Sequence, residues 1–171
     1  VVSPADGHIS SIEDVDDEFI GRPAVLVGIF LSIFDVHINR SSMDATVVGL
    51  QYRHGKFLNA LRPESARENE RMEVRLVENN FPYRRFIVRQ IAGAIARRIV
   101  CWVAPGDSVE RGEQFGMIKL GSRTELLIPK EEGLEILVSL GQKVIAGTTV
   151  VAKYSSNVEM PDAEKATAEV S

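Results

Sequence analysis

The sequence has one cysteine, Cys101, so no disulfide can form within the chain and a reducing compartment suits it. Cys101 stands in an apolar run, which predicts a buried structural thiol. Long hydrophobic runs are missing too. The longest, Ala24 to Phe34, is interrupted by Gly28 and Ser32 and is about half the ~20 residues a spanning helix needs. No signal-peptide pattern stands at the amino end. Methionine is absent from the first position: the chain starts at Val1 inside sequence that already reads as structured, so an upstream segment is expected. An excess of positive charge is also lacking. Lys and Arg number 20 against 24 Asp and Glu, a net charge of −4, which excludes a nucleic-acid binder held by a general basic surface and makes any anion site local.

What is present suits one globular domain. Hydrophobic residues make up 44% and charged ones 26% of 171 residues, close to ordinary soluble proteins and enough to bury a sizeable core. Apolar alternation and β-branched runs predict strands at His8 to Ile12, Ala24 to Phe30, Asp44 to Tyr52, Met72 to Val77 and Tyr83 to Ile91. Little helix is expected beyond a turn that Arg62-Pro63-Glu64-Ser65 could start, with a loop as the alternative. The single folded unit is residues 1–154, and residues 155–171 lack apolar periodicity and read as a disordered tail.

Four features carry chemistry. Gly121-Ser122 falls where two apolar runs meet, so its hydroxyl sits at a turn with an open path to the preceding carbonyl, although Gly-Ser also occurs in ordinary turns. Val36 and Ile38 alternate with Asp35, His37 and Asn39, which puts the three polar residues on one strand face. Asp6 lies in Pro4-Ala5-Asp6-Gly7, where its carboxylate could simply close a turn. Arg84, Arg85, Arg89, Arg97 and Arg98 stand together with no acid among them. They are a solvated face or a meeting place for phosphate and anionic lipid, Arg84, Arg85 and Arg89 in particular.

The last third repeats itself. Val103-Ala104-Pro105-Gly106-Asp107-Ser108-Val109-Glu110-Arg111-Gly112 is echoed by Val138-Ser139-Leu140-Gly141-Gln142-Lys143-Val144-Ile145-Ala146-Gly147, with glycines and valines matched at an offset of 35. This resembles the two halves of a biotinyl/lipoyl-type barrel sandwich. The predicted fold is therefore mainly β, antiparallel sheets with a barrel-sandwich portion in the C-terminal third.

Val2-Ser3-Pro4-Ala5-Asp6-Gly7, Phe34-Asp35-Val36-His37-Ile38-Asn39-Arg40, Gly55-Lys56-Phe57-Leu58-Asn59-Ala60, Glu68-Asn69-Glu70-Arg71, Gln90-Ile91-Ala92-Gly93 and Leu120-Gly121-Ser122-Arg123 together resemble the phosphatidylserine decarboxylase family, its short-form branch most closely. The resemblance implies a proenzyme that cuts itself between Gly121 and Ser122, with Asp6, His37 and Ser122 as the self-processing triad. Ser122 then becomes a covalent pyruvoyl cofactor that condenses with the amine of an aminophospholipid and accepts the electrons released as CO₂ leaves. His37 is implied as base and later proton donor. No metal is implied. The mature form would be a heterodimer of its own two cleavage products, with further homo-oligomerisation open. It would work peripherally at the membrane surface, on the cytoplasmic face.

Two departures from the long-form branch stand out: Arg123 replaces a threonine, and Phe34 stands where the first histidine of a His-x-x-His pair would be. Because the short-form branch includes enzymes acting on archaetidylserine, that ether lipid is an alternative to phosphatidylserine. A reading of another class, a non-enzymatic biotinyl/lipoyl-like carrier domain, rests on the repeat alone. It needs a lysine at the hairpin tip, where Gly121-Ser122 stands between Lys119 and Lys130, and it leaves residues 1–100 unexplained.

Overall fold

A computed structural model describes residues 1–60, 64–94, 98–118 and 121–155, without the side chains of Arg22, Ser65 and Ala66. Arg62, Arg97, Lys119 and nearly all of the expected tail lie outside the described residues. The chain is mainly antiparallel β, its sheets curled into a half-barrel. Long strands are β1 (Gly7–Asp17), β2 (Arg22–Leu31), β4 (Ala45–Arg53), β5 (Arg71–Glu78), β6 (Arg85–Ile91) and β10 (Ser122–Pro129). Short ones are β3 (Ile38–Arg40), β7 (Ile99–Cys101), β8 (Ser108–Val109), β9 (Gln114–Ile118), β11 (Leu134–Ile136), β12 (Lys143–Val144) and β13 (Ala152–Tyr154). One turn of helix, α1 (Ser65–Glu68), falls where the Pro-Glu-Ser stretch allowed it.

The main sheet runs β12-β1-β2-β10-β6-β5-β4-β8, and a second sheet, β3-β9-β7, joins it near the start of β10 through side-chain hydrogen bonds. The main order reads the same from either end. β1 pairs with β12 at Gly7↔Val144, and β4 pairs with β8 at Ala45↔Val109. Each of the β1–β2 and β4–β5 pairs carries a register shift, between Ile9 and Ser11 and between Val47 and Gly49. The same backbone bonds recur: Gly141 N donates to Ile9 O and Gly106 N to Val47 O, while Gly147 N donates to Ser3 O and Gly112 N to Ser41 O.

The molecule is thus a pseudo-twofold pair of halves whose axis passes between β10 and β6. The repeat legible in the last third is half of a larger one. Residues 3–9 correspond to 41–47, a relation in which only Ser3/Ser41 and Asp6/Asp44 are identical, because what is shared is chiefly a backbone path. The two halves of the repeat, expected to form a C-terminal barrel-sandwich portion, close opposite edges of one sheet. Their valines, Val109 and Val144, are buried there.

Apolar burial follows strand alternation. Val27, Ile29 and Leu31 of β2, Leu126 and Ile128 of β10, Phe86 and Val88 of β6 and Val74 and Leu76 of β5 share one core. Burial of such side chains stabilises by about 1.5–3 kcal/mol each. Their β-branched and aromatic shapes suit a pleated surface. The even-numbered residues of β10 thus face this core, and Ser122 is the first of them.

Candidate active site

Strand polarity gathers the site. β1 begins, β2 ends and β10 begins at one edge of the sheet, since His8 pairs with Phe30 and Ser122 with Leu31. β6 ends and β5 begins at that same edge, with Ile91 facing both Arg123 and Arg71. Asp6, Ser122, Ala92-Gly93 and Asn69 therefore converge, although they are far apart in sequence. His37 arrives from the segment that follows β2.

That segment differs from the expected strand. Asp35 Oδ2 accepts from Ser32 N and Oγ, both at 2.8 Å, closing a tight turn. Only Ile38–Arg40 is strand. Asp35 is therefore spent on its own turn and does not share a polar face with His37 and Asn39. The turn lifts Phe34 almost wholly into solvent, at 91% exposure, beside half-exposed Ile33 and Val36.

His37 and Asn39 are held against β9 and β10. Ile118 N donates to His37 O at 3.0 Å. Asn39 Nδ2 donates to Thr124 Oγ1, and Gln90 Nε2 to Asn39 Oδ1, each at 2.9 Å in a fully buried cluster. Thr124 lies two residues beyond Ser122 on the same strand face, as Asn39 lies two beyond His37. Ser122 Oγ and His37 Nε2 are both buried, and neither has a hydrogen-bond partner among the described residues. Leaving a buried hydroxyl unpaired costs about 1–3 kcal/mol, and such orphans call for a reason beyond packing.

Asp6 Oδ1 accepts from Ala146 N at 2.7 Å. It thus ties the start of β1 to the far repeat, where a turn within its own Pro-x-Asp-Gly segment was the structural alternative. Its pseudo-twofold counterpart, Asp44, does the same with Arg111 N at 2.8 Å. A cleft of about 590 Å³ is lined by Asp6, by Val36 and Ile38 on either side of His37, and by Arg40. The next residue, Gly7, has a φ of +145°, and a Cβ there would meet Phe30 O at about 2.2 Å, so this approach to β2 requires glycine.

The arginines suggested for phosphate or membrane contact are placed otherwise. Arg84 is buried, paired with Glu131 at 2.8 Å and Glu78 at 3.2 Å, and stacked over Tyr154. Arg89 lies between Glu125 at 2.8 Å and Glu73 at 3.0 Å. Burial alone would lower the Arg89 pKa, but those two carboxylates raise it. Neither cation is available to a lipid phosphate, because each is already held between two carboxylates. Arg85 is exposed and donates to Phe19 O. It also begins β6, at the sheet edge opposite Ser122.

Arg123 points away from Ser122, into a cavity of about 720 Å³ on the other sheet face. It donates to Glu125 at 3.0 Å and reaches across β2 to Ser11 at 2.8 Å. Gly28 opens that path, for a Cβ there would lie about 2.5 Å from the guanidinium. Cys101 is half-buried, and burial pushes its thiol pKa up.

Residues 1–152 match the family model described as phosphatidylserine decarboxylase. The chain belongs to the phosphatidylserine decarboxylase family. It is 58% identical over 154 residues to a phosphatidylserine decarboxylase proenzyme of Rhodopirellula baltica, covering 90% of this chain and 64% of that protein. Proenzymes of the same name from Carboxydothermus hydrogenoformans and Chlorobium phaeobacteroides are 44% and 43% identical, each over 90% of this chain and 70% of theirs. The chain thus spans about two thirds of the length of these relatives. The match runs through residues 1–100, which a biotinyl/lipoyl-like carrier would leave without a role.

Proposed function

We propose that this chain cuts itself between Gly121 and Ser122 and then decarboxylates a phosphatidylserine-type lipid to the phosphatidylethanolamine type. The observation that carries the reading is the pair of orphaned, buried atoms, Ser122 Oγ and His37 Nε2, at the sheet edge where the family's motifs meet. A nucleophile and a base that are paired with nothing else are free for each other. Gly121 is held at φ +67°, and Ser122 opens a strand fixed on both sides.

His37 takes the Ser122 hydroxyl proton as Oγ attacks the Gly121 carbonyl. The Gly121–Ser122 C–N bond breaks, the nitrogen gains a proton, and an ester remains. Loss of the Ser122 Cα proton then breaks Cβ–Oγ and frees the Gly121 carboxylate. The resulting dehydroalanine takes up water and releases ammonia, leaving pyruvoyl. Asp6 supports the histidine in this reading while one of its oxygens stays on Ala146 N. The site suits the group, since Ser122 already stands buried and unbound where it would form. Pyruvoyl supplies an electron sink for loss of CO₂ from an amine-bearing substrate, and His37 is placed to return a proton to the product carbon.

The names of the relatives favour phosphatidylserine over archaetidylserine. A two-tailed lipid must arrive from a bilayer, and among the described residues no helix is long and apolar enough to cross one. We assign peripheral contact to the turn bearing Ile33 and Phe34, just ahead of His37. Arg84 and Arg89 drop out of that role, being internally paired.

The test is release of labelled CO₂ from carboxyl-labelled phosphatidylserine in vesicles. Wild type should release it, and Ser122→Ala and His37→Ala should not while remaining folded. Release by Ser122→Ala at the wild-type rate would overturn the proposal.

A further inference from the structure

We propose that Gly93 and Asn69 are positioning residues for self-cleavage: Gly93 is the shelf against which the Gly121 carbonyl rests, and Asn69 fixes that shelf. The inference rests on the cleavage reading above and adds two residues to it.

The pseudo-twofold supplies an internal comparison. Gly121-Ser122 at the start of β10 corresponds to Tyr83-Arg84 at the start of β6. Both first residues have positive φ, +67° for Gly121 and +57° for Tyr83. A positive φ thus precedes both the bond proposed to break and its twin, where an arginine replaces the serine. Position 93 corresponds to Glu131, whose carboxylate sits 2.8 Å from Arg84. In each half the segment beyond the central strand therefore packs on the start of the neighbouring central strand.

At the cleavage side the packing is extreme. A Cβ on Gly93 would lie about 1.6 Å from Gly121 O and 2.8 Å from Gly121 C. Only a residue without a side chain lets the carbonyl lie there. The contact is with the carbonyl that Ser122 must attack, so it sets the angle between electrophile and nucleophile.

The shelf is braced from behind. Asn69 is 2% exposed, and its amide is fully used. Nδ2 donates to Leu58 O at 2.8 Å and to Ala92 O at 2.7 Å, while Oδ1 accepts from Leu58 N at 2.8 Å. Ala92 N in turn donates to Glu70 O at 2.9 Å. Ala92 N and O belong to the planar peptides on either side of Ala92, so these two bonds hold both planes, and the one from Asn69 Nδ2 to Ala92 O holds the Ala92–Gly93 peptide itself. The brace comes from a segment that breaks the symmetry. Residues 18–21 suffice to connect β1 and β2, whereas residues 54–70 connect β4 and β5. Gly55 packs that connection onto the backbone of Glu68 to Glu70, a Cβ there falling about 2.4 Å from Glu68 O. Among its described residues, Asn69 and Ala60 meet Ala92 and Gly93 beside Ser122.

The experiment follows appearance of the 1–121 and 122–171 fragments with time after synthesis, with thermal melts of each variant. Wild type should be cut. Gly93→Ala and Asn69→Asp, the latter keeping the side chain's shape but losing both donors, should stay intact or cleave at least about a hundredfold more slowly. Hydroxylamine should release no 1–121 fragment from them, since the block precedes the ester. Leu76→Ala, a core truncation far from the site, should lower the melting temperature without slowing cleavage, which separates positioning from stability. Should Gly93→Ala fail to fold, Asn69→Asp decides. Cleavage of either folded variant at the wild-type rate would overturn the inference and leave the cleavage reading standing. Uncut wild type would overturn both.

Discussion

Asp6 and Asp44 make one comparison that neither makes alone. Both carboxylates accept a backbone N–H from the far repeat, at 2.7 and 2.8 Å, and Asn at either position keeps an acceptor oxygen while losing the charge, at a cost of roughly 1 kcal/mol or less. Only Asp6 lies beside the residues flanking His37. Asp6→Asn is therefore expected to block fragment formation, while Asp44→Asn destabilises similarly and still cleaves. Time-course electrophoresis with melts checks this, and equal cleavage by both would leave Asp6 a tether only. Cys101 makes a simpler case. Its raised pKa, from burial, means less thiolate at pH 7, so alkylation by iodoacetamide should run slower than for a free thiol and accelerate on unfolding. At this scale the motifs single out Asp6, His37 and Ser122, the residues of the proposed self-cleavage. The sequence hid the fate of Arg84 and Arg89, because their partners Glu131, Glu73 and Glu125 come from other parts of the chain, Glu73 and Glu125 from neighbouring strands and Glu131 from the segment after β10.

Strands and turns carry the next level of argument. Arg123, Glu125, Arg89, Glu73 and Arg75 form a ladder of ion pairs across β10, β6 and β5, each link between 2.8 and 3.0 Å. Burial alone would raise the pKa of Glu73, but hydrogen bonds and charge from Arg75 and Arg89 outweigh it and hold it below the ordinary 4.5. A carboxyl with a depressed folded pKa contributes stability that is complete above its unfolded value and lost as pH falls through the folded one. The melting temperature should therefore drop on acidification below about pH 4.5, and Glu73→Gln should flatten that part of the curve. An unchanged acid limb would contradict it. Glu125→Ala strips a carboxylate from both Arg89 and Arg123, and an expected cost of about 3–5 kcal/mol would show in denaturant titration. The Ser32–Asp35 turn belongs to this scale too. Replacing Ile33 and Phe34 by serine removes apolar area worth about 1.5–3 kcal/mol per side chain if buried in lipid. Binding to phosphatidylserine vesicles in flotation should weaken by at least about tenfold with cleavage intact. Equal flotation would move the membrane contact elsewhere. Alternation in Phe34 to Arg40 read as one strand because period two does not register a side chain that bonds back to its own turn, as Asp35 does.

The whole molecule is a symmetric body carrying one asymmetric site. The class of fold was legible, since β-branched runs and turn glycines impose antiparallel strands, and so was the repeat in residues 103–147. Its partner repeat in residues 3–9 and 41–47 was not, because Ser3 and Ser41 share a backbone path with unlike neighbours. Nor was the convergence of six motifs on one edge, which depends on strand polarity across five strands. That convergence makes the Gly121–Ser122 bond the centre of the account. Intact-mass measurement of the purified chain tests it most directly. Two species are expected, residues 1–121 and residues 122–171, the second starting with a pyruvoyl group in place of Ser122. A single chain of 171 residues with unmodified Ser122, in a preparation that decarboxylates phosphatidylserine, would contradict it.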